Sequence, residues 1–210
     1  MDLRDEKVAI AINTLERRAE RQDNDLTLYN TYVDCGVLAE LSETESQVVY
    51  GRRGVGKTHL LHFHRHTCSL KEHRAPYFIF DCQRLGSGTA TISPEASVVG
   101  RNYAFEFLNE LGTRLFGYVE TLRLGETKQM HAQEAILAFV DHICSKDGSF
   151  DCRNLSSTFR AFCSHAEIER IYIGLDEFVS VPQPAQPIFA HILKQIFASD
   201  KRVVFKRGRF

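Results

Sequence analysis

The chain has 210 residues, 43% hydrophobic and 25% charged, with a formal net charge of -1. That length suits one sizeable α/β domain, with or without a small appendage, and the composition excludes disorder as the default state. A near-neutral chain has no global electrostatic reason to bind nucleic acid or acidic membranes, and no stretch reaches the apolar length of a membrane span. The opening MDLRDEKVAI lacks the apolar centre of a secretory signal. Cys35, Cys68, Cys82, Cys144, Cys152 and Cys163 include no C-x-x-C pair. That is the pattern of reduced, mostly buried thiols in a cytoplasmic protein, not of a disulfide framework.

Val8, Ile12, Leu15 and Ala19 recur at helical spacing. They predict an amphipathic helix and linker over residues 1–30, ahead of a domain over 31–210. The polar run Arg21 to Thr27 ends that helix, and a short helical or irregular stretch follows around Val33 to Leu41. Gln47 to Tyr50 is a β-prone run halted at Gly51, and Lys57 to His66 reads as a helix straight after the glycines. A second strand, Tyr77 to Phe80, stops at Asp81, and Gly86 to Ser93 is a loop. Three amphipathic helices come next, marked by Leu108, Leu111, Leu115, Val119 and Leu122, then by Ile136, Phe139, Val140 and Ile143, then by Leu155, Phe159, Phe162 and Ala166. A third strand, Ile171 to Leu175, runs into Asp176 and Glu177. After Pro182, Pro184 and Pro187, a helix through Ile188, Ile192 and Ile196 leads to a fourth strand, Val203 to Phe205. Short apolar strands alternating with helices predict a parallel sheet covered on both faces.

The segment Gly51-Arg52-Arg53-Gly54-Val55-Gly56-Lys57-Thr58 fits G-x-x-x-x-G-K-[ST] at every fixed position. Glycines let backbone N–H groups curl around phosphate oxygens where a Cβ would clash, and the helix that follows adds its positive N-terminal dipole. Lys57 has the reach for the β- and γ-phosphates, and the Thr58 hydroxyl is a Mg²⁺ ligand of the right hardness. Arg52 and Arg53 either offset phosphate charge or sit solvated on an exposed loop. The strand ending in Asp176-Glu177 supplies the second element of such a site. Asp176 would hold Mg²⁺ directly or through water; Glu177 would polarise the attacking water or, alternatively, cap the following segment.

Tyr50 through His59, then Phe80-Asp81-Cys82-Gln83-Arg84-Leu85-Gly86-Ser87, then Leu175-Asp176-Glu177 together resemble a bacterial branch of the AAA+ ATPases, similar to the origin-recognition and Cdc-type initiators. The resemblance runs from about Leu38 to Lys206. It implies a P-loop NTPase three-layer sandwich with a mostly parallel, five-stranded sheet, and ATP bound along Gly51 to His59. It further implies a polar sensor after the fourth strand, an arginine finger, a helical lid and often a DNA-binding winged helix. In that family the fourth and fifth strands flank the P-loop strand. Beyond Phe205 this sequence has Lys206-Arg207-Gly208-Arg209-Phe210, so the C-terminal part is expected to be incomplete and the lid absent, leaving the P-loop strand at an edge. The distance from Lys57 to Asp176 implies a helical insertion between the two motifs at about 103–167.

Two further signals are set aside. His59, His62, His64, His66, Cys68 and His73 crowd one segment, but no second cluster at ligand spacing completes a zinc site. Lys201, Arg202, Lys206, Arg207 and Arg209 form a basic cluster without aromatic interleaving, which reads as a solvated tail before a nucleic-acid contact. The sequence therefore predicts a cytoplasmic ATPase domain that hydrolyses ATP to ADP and phosphate with Mg²⁺, with Lys57 and Glu177 as catalytic residues. It would couple turnover to conformational change with a protein partner or through self-assembly. The alternatives are a nucleotide-dependent binding module with little turnover and an initiator-like DNA-binding protein.

Overall fold

The computed structural model describes residues 38, 41, 45–50, 56–71, 75–85, 95–143 and 150–209. The helix expected within 1–30, Gly51 to Val55 of the glycine motif, His73, and the loop from Gly86 to Ser93 lie outside the described residues, as do Cys35 and Cys144.

Strands β1 (Gln47–Tyr50), β2 (Tyr77–Asp81), β3 (Ile171–Asp176) and β4 (Val203–Arg209) form one all-parallel sheet in the order β1-β4-β3-β2. Helix α1 (Lys57–Lys71) joins β1 to β2. Between β2 and β3 come α2 (Cys82–Leu85), α3 (Ala96–Thr121), α4 (Glu126–Ile143) and α5 (Cys152–His165). A 3-10 turn (Phe178–Ser180) and α6 (Gln186–Phe197) connect β3 to β4. Among the described residues β1 pairs with β4 alone, so it stands at the edge of the sheet. None of the described helices is long and apolar enough to cross a membrane.

Side chains alternate across the strands, and the two faces differ in character. Phe78 and Phe80 of β2, Ile171, Ile173 and Leu175 of β3, and Val203 and Phe205 of β4 face a large apolar core shared with α3, α4, α5 and α6. Tyr77 and Ile79, Tyr172, and Val204 face the other way, onto α1. The result is a three-layer α/β arrangement with helices on both faces. On the α1 side the packing is partly polar. Buried His64 sets Nδ1 3.3 Å from the Tyr77 hydroxyl and Nε2 3.5 Å from Cys68 Sγ, while the Tyr77 and Tyr172 rings stack at 5.4 Å. Burial pushes the Tyr77 hydroxyl well above its usual range and the Cys163 thiol, on the opposite face, up to about 12. Cys68, Cys82 and Cys163 are buried free thiols and Cys152 is partly buried.

Several elements outrun their sequence signals. Helix α1 continues past His66 to Lys71 because Cys68 extends its buried face by a turn. The apolar stripe of α3 begins about two and a half turns before Leu108, with Val99, Tyr103, Ala104 and Phe107. Gly100 lets α3 approach α6 closely, since a Cβ there would lie 2.8 Å from Ile188 Cβ and 2.9 Å from the Ala185 carbonyl oxygen. The largest difference concerns the basic cluster. Lys206, Arg207 and Arg209 are not a solvated tail but part of β4, paired in register with Gln47, Val48 and Tyr50 of β1. Lys206 is wholly buried, and its ammonium donates to the Glu45 carbonyl (2.9 Å) and to Gln47 Oε1 (2.5 Å). Charge reads as exposure in a sequence; here strand pairing and two acceptors offset the desolvation.

The turn into β4 is stitched to α5 by a buried carboxylate. Asp200 accepts from the Arg202 amide (3.0 Å), Nε (2.9 Å) and Nη2 (2.7 Å), and Arg202 also reaches the Arg160 carbonyl and Ser164 Oγ. Burial works to raise the Asp200 carboxyl, but the Arg202 hydrogen bonds and charge outweigh it and hold the group below its ordinary range. A depressed carboxyl contributes stability above its unfolded-state pKa and loses it on protonation. Asp200→Asn should therefore lower the urea-unfolding free energy by about 1.5 kcal/mol at pH 7. The gap from wild type should close as the pH falls below about 4.

Candidate functional site

A parallel α/β sheet gathers its chemistry at the carboxyl ends of its strands, where helix N-termini also point. In this chain the N-terminus of α1 meets the end of β3 there, and the end of β2 lies in register beside it. Gly56 has φ +84°, a conformation that an L side chain would strain. Its carbonyl accepts the Leu60 amide at 2.8 Å, so the first helical hydrogen bond of α1 closes on this glycine. Lys57, Thr58 and His59 follow as the first turn, and buried Leu60 and Leu61 fix that turn against the fold.

Thr58 and Asp176, 118 positions apart in sequence, meet directly. The Thr58 hydroxyl donates to Asp176 Oδ2 at 2.6 Å. Asp176 ends β3 on the α1 face, is only 5% exposed, and accepts the Glu177 amide on Oδ1 at 2.9 Å. A hydroxyl and a carboxylate at this spacing form a hard-oxygen pair of the kind Mg²⁺ takes from a protein when waters and phosphates complete its octahedron. Among the described residues no group of three or more His, Cys, Asp or Glu is placed to hold a metal, so any Mg²⁺ here would rely on those outside ligands.

Glu177 follows in the left-handed region (φ 46°, ψ 37°). For a residue with a side chain this costs about 1–3 kcal/mol and persists only where the surroundings enforce it. Two contacts do so: the Ser180 amide donates to the Glu177 carbonyl at 2.8 Å, and buried Phe178 is anchored in the core. A left-handed glutamate does not extend the strand, so the chain turns directly after Asp176.

The structure thus brings Lys57, Thr58, His59, Asp176 and Glu177 to one end of the sheet; Gly51, Arg52, Arg53, Gly54 and Val55 lie outside the described residues. Two neighbours of the site, both in the Phe80–Ser87 segment that carries the resemblance, received no role from it. Asp81 ends β2 in register with Asp176, a second carboxylate at the same edge, and accepts the Gln83 amide at 2.9 Å. Beneath both lies Cys82, fully buried, whose thiol is pushed well above its usual range by burial first and then by the Asp81 and Asp176 carboxylates. It is an inert thiol, not a nucleophile. The signal for Asp81 was its place, an acid ending a strand just as Asp176 does. Of the histidine run, His64 is committed to Tyr77 and Cys68 on the sheet side of α1.

No protein-family model matches the chain, and no curated protein matches it in sequence.

The Thr58 contact should be measurable without any ligand. Thr58→Val leaves the buried Asp176 carboxylate short of a donor and should lower unfolding free energy by about 1–2 kcal/mol. Thr58→Ser should stay close to wild type in the same urea titration.

Proposed function

We propose that the chain binds ATP with Mg²⁺ at the N-terminus of α1 and hydrolyses it to ADP and phosphate. The observation that carries this reading is the 2.6 Å contact between Thr58 and Asp176. It joins the residue after the glycine-lysine motif to an acid on a separate strand, as a shared Mg²⁺ ligand set requires. The pairing of β4 with β1 also supports the reading, because the resemblance to AAA+ ATPases implies that the fourth strand flanks the P-loop strand.

In this mechanism the Gly51–Gly56 amides and the α1 dipole hold the phosphates, and Lys57 bridges the β- and γ-phosphate oxygens. Bound Mg²⁺, held by Thr58 and Asp176, would neutralise charge building on the β–γ bridge. Glu177 orients a water and accepts its proton. The water oxygen bonds to the γ-phosphorus as the bond to the bridging oxygen breaks, and ADP leaves with that electron pair.

Calorimetry with MgATP tests binding, and steady-state phosphate release tests turnover. Lys57→Ala should weaken ATP at least about tenfold, while Glu177→Gln should keep ATP and slow release by about 10²–10⁴. No heat with ATP or ADP would end the nucleotide reading. Tight binding with phosphate release equal to that of Lys57→Ala would leave a nucleotide-dependent switch in place of an ATPase.

A further inference from the structure

Strand β4 contributes a residue to the carboxyl edge that the motifs do not name. The parallel register pairs Arg207 with Leu175, the residue immediately before Asp176, and on its other side with Val48 of β1. Its guanidinium carbon lies 4.5 Å from the centre of the Phe178 ring. The same ring stacks on Phe189 of α6, with centroids 5.8 Å apart and planes 13° from parallel. Phe178 is therefore held by a cation and by an aromatic ring, and it is the residue directly after the left-handed Glu177. The charge balance points the same way. Asp81, Asp176 and Glu177 gather at the strand ends around Cys82; Arg84 pairs with Asp81 at 3.4 Å, and Arg207 adds a cation from β4. Carboxylates crowded at one edge repel both each other and an incoming polyphosphate, so each such cation counts.

We infer that Arg207 is a positioning residue for the metal-binding arm of the site: by holding Phe178 against Phe189 and offsetting the carboxylates, it fixes the Asp176–Glu177 turn in the geometry that receives Mg²⁺ with nucleotide. The inference rests on the ATP-binding reading. It separates two contributions to affinity, the phosphate cradle of the glycine motif and the metal-dependent gain supplied through Asp176. Arg207 serves the second.

The test is ATP affinity measured in Mg²⁺ and again in EDTA, with thermal melts as a folding control. Arg207→Gln should bind ATP like wild type in EDTA but lose about tenfold of affinity in Mg²⁺, the usual scale for outer-shell support of a metal ligand. Arg207→Lys, which keeps a cation over the ring, should retain most of the gain. Phe178→Leu keeps an apolar side chain but removes the ring, and should reproduce the Arg207→Gln defect even if that variant does not fold. An undiminished Mg²⁺ gain in Arg207→Gln or Phe178→Leu would overturn the inference. An equal loss with and without the metal would also overturn it, since that marks general loosening. Wild type that binds ATP equally in both conditions would defeat this role for Arg207 alone, whereas wild type that binds in neither would remove the ATP reading beneath it.

Discussion

The hydroxyl of Thr58 and the carboxylate of Asp176 lie 2.6 Å apart because the first turn of α1 sits at the end of β3, although β4 separates β3 from β1, the strand that precedes the helix. The packing on the α1 side holds the helix in that place. Leu61, His64 and Cys68 lie on the buried face of the helix, and Tyr77, Tyr172 and Val204 form the floor on which it rests. Packing along the buried face of the helix helps to position its N-terminus.

The two sides of the sheet divide the work unequally. Helices α3, α4, α5 and α6 bury a large, almost wholly apolar cluster in which Phe80, Phe107, Phe159, Phe189 and Phe197 meet ring against ring. That cluster supplies most of the buried apolar surface and so most of the driving force for folding. The α1 face is smaller and includes polar groups, His64, the Tyr77 hydroxyl and Lys206, each held by named partners. Directional contacts fix orientation where apolar packing alone would tolerate sliding. Orientation matters most on the face that carries the Thr58–Asp176 pair.

Much of this was legible in the sequence because the relevant signals are short and local. Gln47 to Tyr50 stops at a glycine, Tyr77 to Phe80 stops at an acid, and the helices between them repeat their apolar residues at the expected period. The pairing of Thr58 with Asp176 followed from two motifs far apart. What escaped was decided by the third dimension. Arg207 and Lys206 read as solvated charge, because nothing local reveals that β1 lies alongside them or that Phe178 lies over Arg207. The start of α3 was hidden because Val99, Tyr103 and Ala104 are modest signals until α6 packs against them. Asp81 looked like a strand terminator, and only its register with Asp176 shows that it borders the site.

The pairing of β1 with β4 also orders the events of folding. The amide of Phe205 bonds to Ser46 Oγ, and Lys206 to Gln47, partners 159 positions apart. Such closures are slow because the loop entropy must be lost before the contact rewards it. Helices α3 to α5, which adjoin one another along the chain, can dock much earlier. On a ribosome β1 emerges well before β4, its strand neighbour among the described residues. Strand β1 therefore waits for β4, and the polar end of the sheet closes as a late event, after the apolar mass is already in place.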